Sequence, residues 1–398
     1  MKIPTLLLAI LAVSCIPENK DEGQHQKPEI DIENLNFTVT GKVRTYYVAA
    51  DEIEWDYAPS EVNPMTGEPW AGAAAFFTQR TPIQIGNKYK KAIYREYADE
   101  TFTELIPKSE KWRHTGIVGP VIRAEVGDLI KVVFRNNGYM PYSMHPHGVF
   151  YTKQHEGALY HDGVPMEGKP GSAVPSGGTH TYIWEVPERA GPGPNDPSSL
   201  VWLYHSHVHE PKDVNSGLIG AIIISAAGTT REDGTPKDVD REFIGLFTVL
   251  DENQSWYIDQ NVETYISDPE KMKTAPPISV MDPEGHFFLF GFDGWGVANI
   301  KFTINGFLNG TGPMMEMKKD ERVRWYLMSI GNGINFHTPH WHGNVVMQDN
   351  KRTDVVALMP AQMITVDMVP DDVGTWMFHC HVDDHMEAGM VTNYKVTE

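Results

Sequence analysis

Short runs of β-branched or alternating apolar residues recur along the chain, as at 129–134 (LIKVVF), 220–225 (GAIIIS) and 364–368 (ITVDM). Runs of this length, bounded by turn residues, predict strands. The turn residues are present: Asn137-Gly138, Gly177-Gly178 and Asn309-Gly310. No long amphipathic helix stands out. Many short strands with Gly/Pro-rich turns predict an all-β chain built as sandwiches. A polar stretch at 228–241 (GTTREDGTPKDVDR) separates two halves. The segment 51–90, with Pro59, Pro64, Pro69 and Pro82, reads as irregular surface.

A length of 398 residues suits two domains. With 41% apolar and 22% charged residues the composition is globular, which excludes a disordered chain or a coiled coil. No apolar run reaches the roughly 18–20 residues of a membrane span. The net charge of −20 is opposite to the basic field that sequence-neutral nucleic-acid binding needs.

The N-terminus has the form of an export signal. A basic residue at Lys2 precedes the apolar run 6–13, and Ser14 stands before Cys15. A small residue directly before a cysteine resembles a bacterial lipobox, in which the cysteine is acylated. The plainer alternative is a cleaved signal with an incidental cysteine. Residues 16–34 are polar and suit a tether. The only other cysteine is Cys380. The two either pair in an oxidising compartment or, with Cys15 acylated, leave Cys380 for another purpose.

Histidine supplies that purpose. Ten of seventeen histidines fall in four clusters: His145 and His147; His205 and His207; His337, His340 and His342; and His379, His381 and His385, with Cys380 inside the last. Thiolate with imidazoles points to a transition metal, and Cys with two His and a distant Met points to blue copper. In a strand, i and i+2 share a face. His379 and His381 therefore face one way and Cys380 the other, so one strand serves two metal centres. Cys380 with His337 and His385 makes an equatorial set, and Met390 is the candidate weak axial ligand. The remaining eight histidines form four same-face pairs. The clusters of the two halves correspond, His145/His147 with the 337–342 cluster and His205/His207 with His379/His381, so the halves look internally related.

This pattern resembles the multicopper oxidases. The matching stretches are His145-Pro146-His147-Gly148, His205-Ser206-His207, His337-Thr338-Pro339-His340-Trp341-His342, and the run from His379 through His385 to Met390. The sequence looks closest to the ceruloplasmin-like branch, in stretches such as YYVAADEIEWDYAPS and HCHVDDHMEAGM. The resemblance implies an all-β fold of two tandem cupredoxin-like Greek-key β-sandwich domains, at 35–228 and 229–398. It implies four coppers per subunit. The type 1 copper would be held by His337, Cys380, His385 and Met390, and the type 2 copper by His145 and His340. The type 3 pair would be held by His147, His205, His207, His342, His379 and His381.

Implied function follows. A reducing substrate, a phenol, an aromatic amine or a metal ion, gives electrons singly to the type 1 copper, and the trinuclear cluster reduces O₂ to water. Water formation consumes protons, for which Asp162 and Asp383 are candidate acids. Asp384 precedes His385 at the solvent edge of the type 1 site. Ceruloplasmin-like ferroxidases also use a Glu and a His just before an Ile-Asn-Gly. Here Ile304-Asn305-Gly306 is present, but those positions hold Val297 and Phe302. Copper nitrite reductase is the rival enzyme, but it puts its type 1 cysteine in the first domain, where this chain has Ser206. A non-catalytic copper-binding protein is the third reading. The expected setting is a periplasmic or cell-envelope lipoprotein, touching membrane only through a lipid anchor. With four cluster histidines from each domain, a head-to-tail ring of three chains would complete each cluster between neighbours.

Overall fold

The computed structural model describes residues 37–273 and 294–398. The export signal, Cys15 and the 16–34 tether lie outside the described residues. The compact body runs from Val39 to Glu398. All three sampled runs are strands, as Leu129–Asn136, Ile219–Ser225 and Met363–Met368. The longest described helix is Ile258–Tyr265, and none is long and apolar enough to cross a membrane.

Two sandwiches repeat one plan. In the first, one sheet orders Lys88–Tyr97, Val43–Asp56, Leu129–Asn136 and Thr179–Glu185. The facing sheet orders Val121–Glu125, Ile219–Ser225, Ser199–His205 and His145–Pro146. In the second, the order Ile300–Ile304, Arg241–Asp251, Val323–Ser329 and Met363–Met368 answers the first sheet, extended by two short strands. Met315–Lys318, Val391–Thr397, Gly374–Cys380 and Pro339–Trp341 answer the facing one. Even the parallel pairs repeat. Val43–Asp56 runs parallel to Leu129–Asn136 as Arg241–Asp251 does to Val323–Ser329.

Met363–Met368 alternates buried with half-buried positions, as a strand with one covered face should. Ile219–Ser225 is buried throughout because it serves two cores. Ile222 and Ile224 enter the core of the first sandwich. Ile219, Ala221 and Ile223 enter a larger core shared with the second.

The segment 51–90 is not the irregular surface its prolines predict. Strands occupy both ends, and between them lie the helix Gly72–Thr78 and a two-residue hairpin. Tyr57, Phe77 and Ile85 are buried in the larger core, with Phe77 edge-on to Phe302 at 5.7 Å. The tyrosine hydroxyl of Tyr57 and the ammonium of Lys91 both donate to Glu252 of the second half. Lys301 returns the tie, donating to the carbonyls of Phe77 (2.6 Å), Gly86 (2.9 Å) and Ala298 (2.7 Å). Apolar side chains between the prolines outweigh the turn signal, because burial stabilises each by about 1.5–3 kcal/mol.

Candidate metal centre

Strand pairing brings the histidine clusters together. His145 lies opposite His205 in the first sandwich, and His340 lies opposite His379 in the second. Antiparallel neighbours sit close enough for their rings to meet. The rings of His145, His147, His205 and His207 approach at 5.1 to 5.6 Å between centroids. Those of His340, His342, His379 and His381 approach at 4.8 to 5.4 Å. Among the described residues no ring contact joins one set to the other. Only His205 and His379 are fully buried; the other six keep exposed surface.

Backbone carbonyls fix the tautomers. The Nδ1 atoms of His145, His205, His340 and His379 lie 2.7 to 3.0 Å from the oxygens of Glu156, Ser206, Asp354 and Cys380. A carbonyl only accepts, so each Nδ1 carries the proton and each Nε2 keeps its lone pair. The Nε2 atoms of His147 and His205 then face each other at 3.2 Å, and those of His342 and His379 at 3.1 Å. With Nε2 of His205 and His379 accepting, the neutral His147 and His342 rings donate Nε2–H across these contacts. Burial pushes the His147 imidazole down to about 4 and that of His205 well below the ordinary range, so these rings are neutral at neutral pH and can turn nitrogen lone pairs to a metal.

The chain reverses faces at Cys380. Its thiol points away from the second histidine set and meets His337 and His385. Sγ lies 3.9 Å from His337 Nδ1 and 3.8 Å from His385 Nδ1, and the two nitrogens are 3.2 Å apart. A trigonal ion with nitrogen at ~2.0 Å and sulfur at ~2.3 Å sets these separations at roughly 3.5 and 3.7 Å. The donor triangle therefore fits a metal of that size. His337 Nε2 donates to Asn335, which turns Nδ1 inward as the donor. Cys380, His337 and His385 are all buried. Burial pushes the Cys380 thiol up and the imidazoles of His337 and His385 down to about 3 and about 4. The pocket thus holds neutral donors whose thiol needs a bound cation to ionise. Buried Met390 adjoins through its backbone, accepting from Cys380 N–H at 3.0 Å. Phe302 closes the other side, its ring 5.2 Å from that of His385.

The acids are less uniform. Asp383 and Asp384 are exposed in the first turn of the helix Asp383–Glu387. Asp162 pairs with Lys169 at 2.7 Å and Lys153 at 3.1 Å. The Lys169 ammonium holds its carboxyl well below the usual carboxylate range. It is a standing anion, a different state from the protonated acid expected of a donor. His209 is exposed and lies against Trp256. Met315 and Met317 are buried core residues, while Met314 beside them is exposed.

Sequence reading missed Asp213, buried beneath the 206–209 turn, and the stacking of Phe302. The pairing of the two halves was the available signal for Asp213.

The comparisons agree with this geometry. Two family models described as multicopper oxidase match residues 113–228 and 291–398. Ferroxidase HEPHL1 of Homo sapiens is 40% identical over 370 residues, covering 92% of this chain and 30% of that protein. Ceruloplasmin of Mus musculus is 37% identical over 371 residues, covering 91% and 31%. The chain thus spans about 30% of the length of the curated relatives it matches. The solved structure of the multicopper oxidase mgLAC shares the fold at a TM-score of 0.55 and 18% identity, covering 89% of this chain and 86% of that one. With cupredoxin-like sandwiches, a buried Cys–His triangle and two sets of four histidines, the chain belongs to the multicopper oxidase family and has a ceruloplasmin-like sequence.

Proposed function

We propose that this chain is a copper oxidase that takes electrons singly from a small reductant and delivers them to dioxygen. One observation carries the reading. Cys380 belongs to the Cys–His triangle while its chain neighbours His379 and His381 belong to the four-histidine set. Bound there, copper would supply one-electron transfer at the triangle and four-electron reduction of O₂ at the histidine cluster. The type 1 ligands are His337, Cys380, His385 and Met390; the type 2 ligands are His145 and His340; His147, His205, His207, His342, His379 and His381 hold the type 3 pair.

The protein's own part is to bind, orient and insulate. The Glu156 and Asp354 carbonyls aim His145 and His340. Phe302 keeps water from one side of His385. Asp383 and Asp384 are exposed acids on the helix that carries His385, Asp383 to relay protons and Asp384, at the solvent edge of the type 1 site, to meet the substrate. Asp162, held ionised by its lysines, serves as a fixed anion on the proton path rather than as the group that is protonated. The reductant is a phenol, an aromatic amine or a metal ion. Although a relative is named a ferroxidase, Val297 and Phe302 are buried and apolar where an iron site of that kind needs an acid and an imidazole.

Each cupredoxin domain, 35–228 and 229–398, brings four cluster histidines. The separation of the two sets within one chain supports a head-to-tail trimer in which neighbours complete each cluster. Export to the periplasm or cell envelope with acylation at Cys15 completes the proposal.

Copper content, visible absorption and oxygen uptake with Fe(II), Cu(I) and a phenol side by side form the test. Four coppers per chain, a blue band and O₂ consumption are expected. In Cys380→Ser the blue band should vanish while other copper stays. A colourless, copper-replete wild type overturns the reading.

A further inference from the structure

The turn that follows His381 has a counterpart after His207, with different chemistry at its centre. In the second half Thr338 N–H donates to Cys380 Sγ at 3.4 Å. Cys380 N–H donates to Met390 O at 3.0 Å, and Met390 N–H to His385 O at 2.8 Å. In the first half Ser143 N–H donates to Ser206 Oγ at 3.1 Å. Ser206 N–H donates to Leu218 O, and Leu218 N–H to Asp213 O, both at 3.2 Å. The two hydrogen-bond patterns superpose. Ser206 stands where Cys380 does, Asp213 where His385 does, and Leu218 where Met390 does.

The metal donors are gone from this pocket, yet the pocket is fully engaged. Asp213 is wholly buried. Its Oδ2 accepts from Ser206 Oγ at 2.7 Å and from the backbone N–H groups of Val208 and His209 at 3.0 Å each. Its Oδ1 accepts from the indole of Trp256 at 2.9 Å. A buried carboxylate is costly unless its oxygens are hydrogen-bonded, and charge-assisted bonds are about twice as strong as neutral ones. Three of the four donors belong to the 206–209 turn, which directly follows His205 and contains His207. Ser143 fastens the same turn from the other side, accepting from His207 N–H at 3.0 Å.

We infer that Asp213 is a positioning residue: it clamps the 206–209 turn from within and so holds His205 and His207 in place without metal. In the second half His385 stands at that point, and backbone bonds close the matching turn, from His381 N–H to Thr338 O at 2.9 Å and from Met386 N–H to Val382 O at 3.1 Å. The buried carboxylate clamp is therefore particular to the first histidine set. The inference rests on the reading of His205 and His207 as copper ligands.

The test uses the full chain in two states. In the metal-free protein, amide hydrogen exchange at Val208 and His209 should be slow, and at least tenfold faster in Asp213→Asn, with the 381–385 turn unaffected. Loaded with Cu(II), Asp213→Asn should keep the blue band of the triangle, which also reports that it has folded. It should lose the near-ultraviolet absorption of the type 3 pair and bind fewer coppers. Unchanged exchange with a full copper count overturns the inference. Should Asp213→Asn not fold, Ser206→Ala and Trp256→Phe each remove one donor, and both should speed exchange at the two amides by a smaller factor. No change in either overturns the clamp. A wild type without any blue band sinks the oxidase reading alone, because the exchange measurement still judges the clamp.

Discussion

The ring of Phe302 packs against that of His385, their centroids 5.2 Å apart and their planes inclined by 50°. The contact joins the strand Ile300–Ile304 of one sheet to the helix that carries a candidate ligand. Phe302 is part of the larger core, so its removal acts on stability and on the pocket together. Phe302→Ala should cost about 3–5 kcal/mol in urea unfolding. It should also lower the reduction potential of the blue site, because water admitted beside His385 stabilises the more charged oxidised state. A potentiometric titration reads the second effect, and an unchanged potential would show that Phe302 does not insulate the triangle.

A trimer with shared clusters makes a sharp prediction about mixtures. His145→Ala and His379→Ala damage opposite sets of histidines. Separately refolded, each variant should be inactive. Co-refolded from unfolded chains, they should regain part of the oxygen uptake, since some interfaces unite two intact sets. Light scattering of the wild type should give three chains. A single-chain mass with full activity would reject the ring.

Lys301 offers a pH signature. Burial pushes its ammonium down to about 7 from the ordinary 10.5. Between those values the unfolded chain holds a proton that the folded chain lacks, so stability from this group rises with pH, by up to about 1.4 kcal/mol per unit. Below pH 7 both states are protonated and the slope from Lys301 disappears. Lys301→Met should flatten the stability profile between pH 7.5 and 9.5, whatever it does to absolute stability. Denaturant midpoints across that range measure it, and parallel profiles for the two proteins would refute it.

Acylation at Cys15 is tested by growth in labelled fatty acid. Label should enter the wild type and be absent from Cys15→Ala. An unlabelled, freely soluble wild type would leave the plain cleaved signal as the reading.

Much of the metal centre was legible in the sequence because strand geometry is regular. The period of two alone assigns Cys380 to one face of its strand and His379 with His381 to the other. The register that sets His145 against His205, and His340 against His379, was not legible, since pairing depends on the whole sheet. Asp213 escaped for a local reason. It lies six residues after His207, whereas His385 lies four after His381, so an insertion hides the correspondence. The segment 51–90 misled because proline marks turns without saying which side chains between them are buried. Asp162 was found by position, but its lysine partners lie at 153 and 169, where only the folded loop brings them together.

Those buried ties across the 51–90 segment bear on ancestry. The matched sheet orders of the two halves fit a duplication, yet the larger core and its buried polar ties draw on both copies. Glu252 needs Tyr57 and Lys91, and Lys301 needs carbonyls from Phe77 and Gly86. Exchanging either half for a cupredoxin from another lineage would strand buried charges in the half that stayed. The two halves are therefore interdependent, and a substitution on one side of the seam constrains its partner on the other.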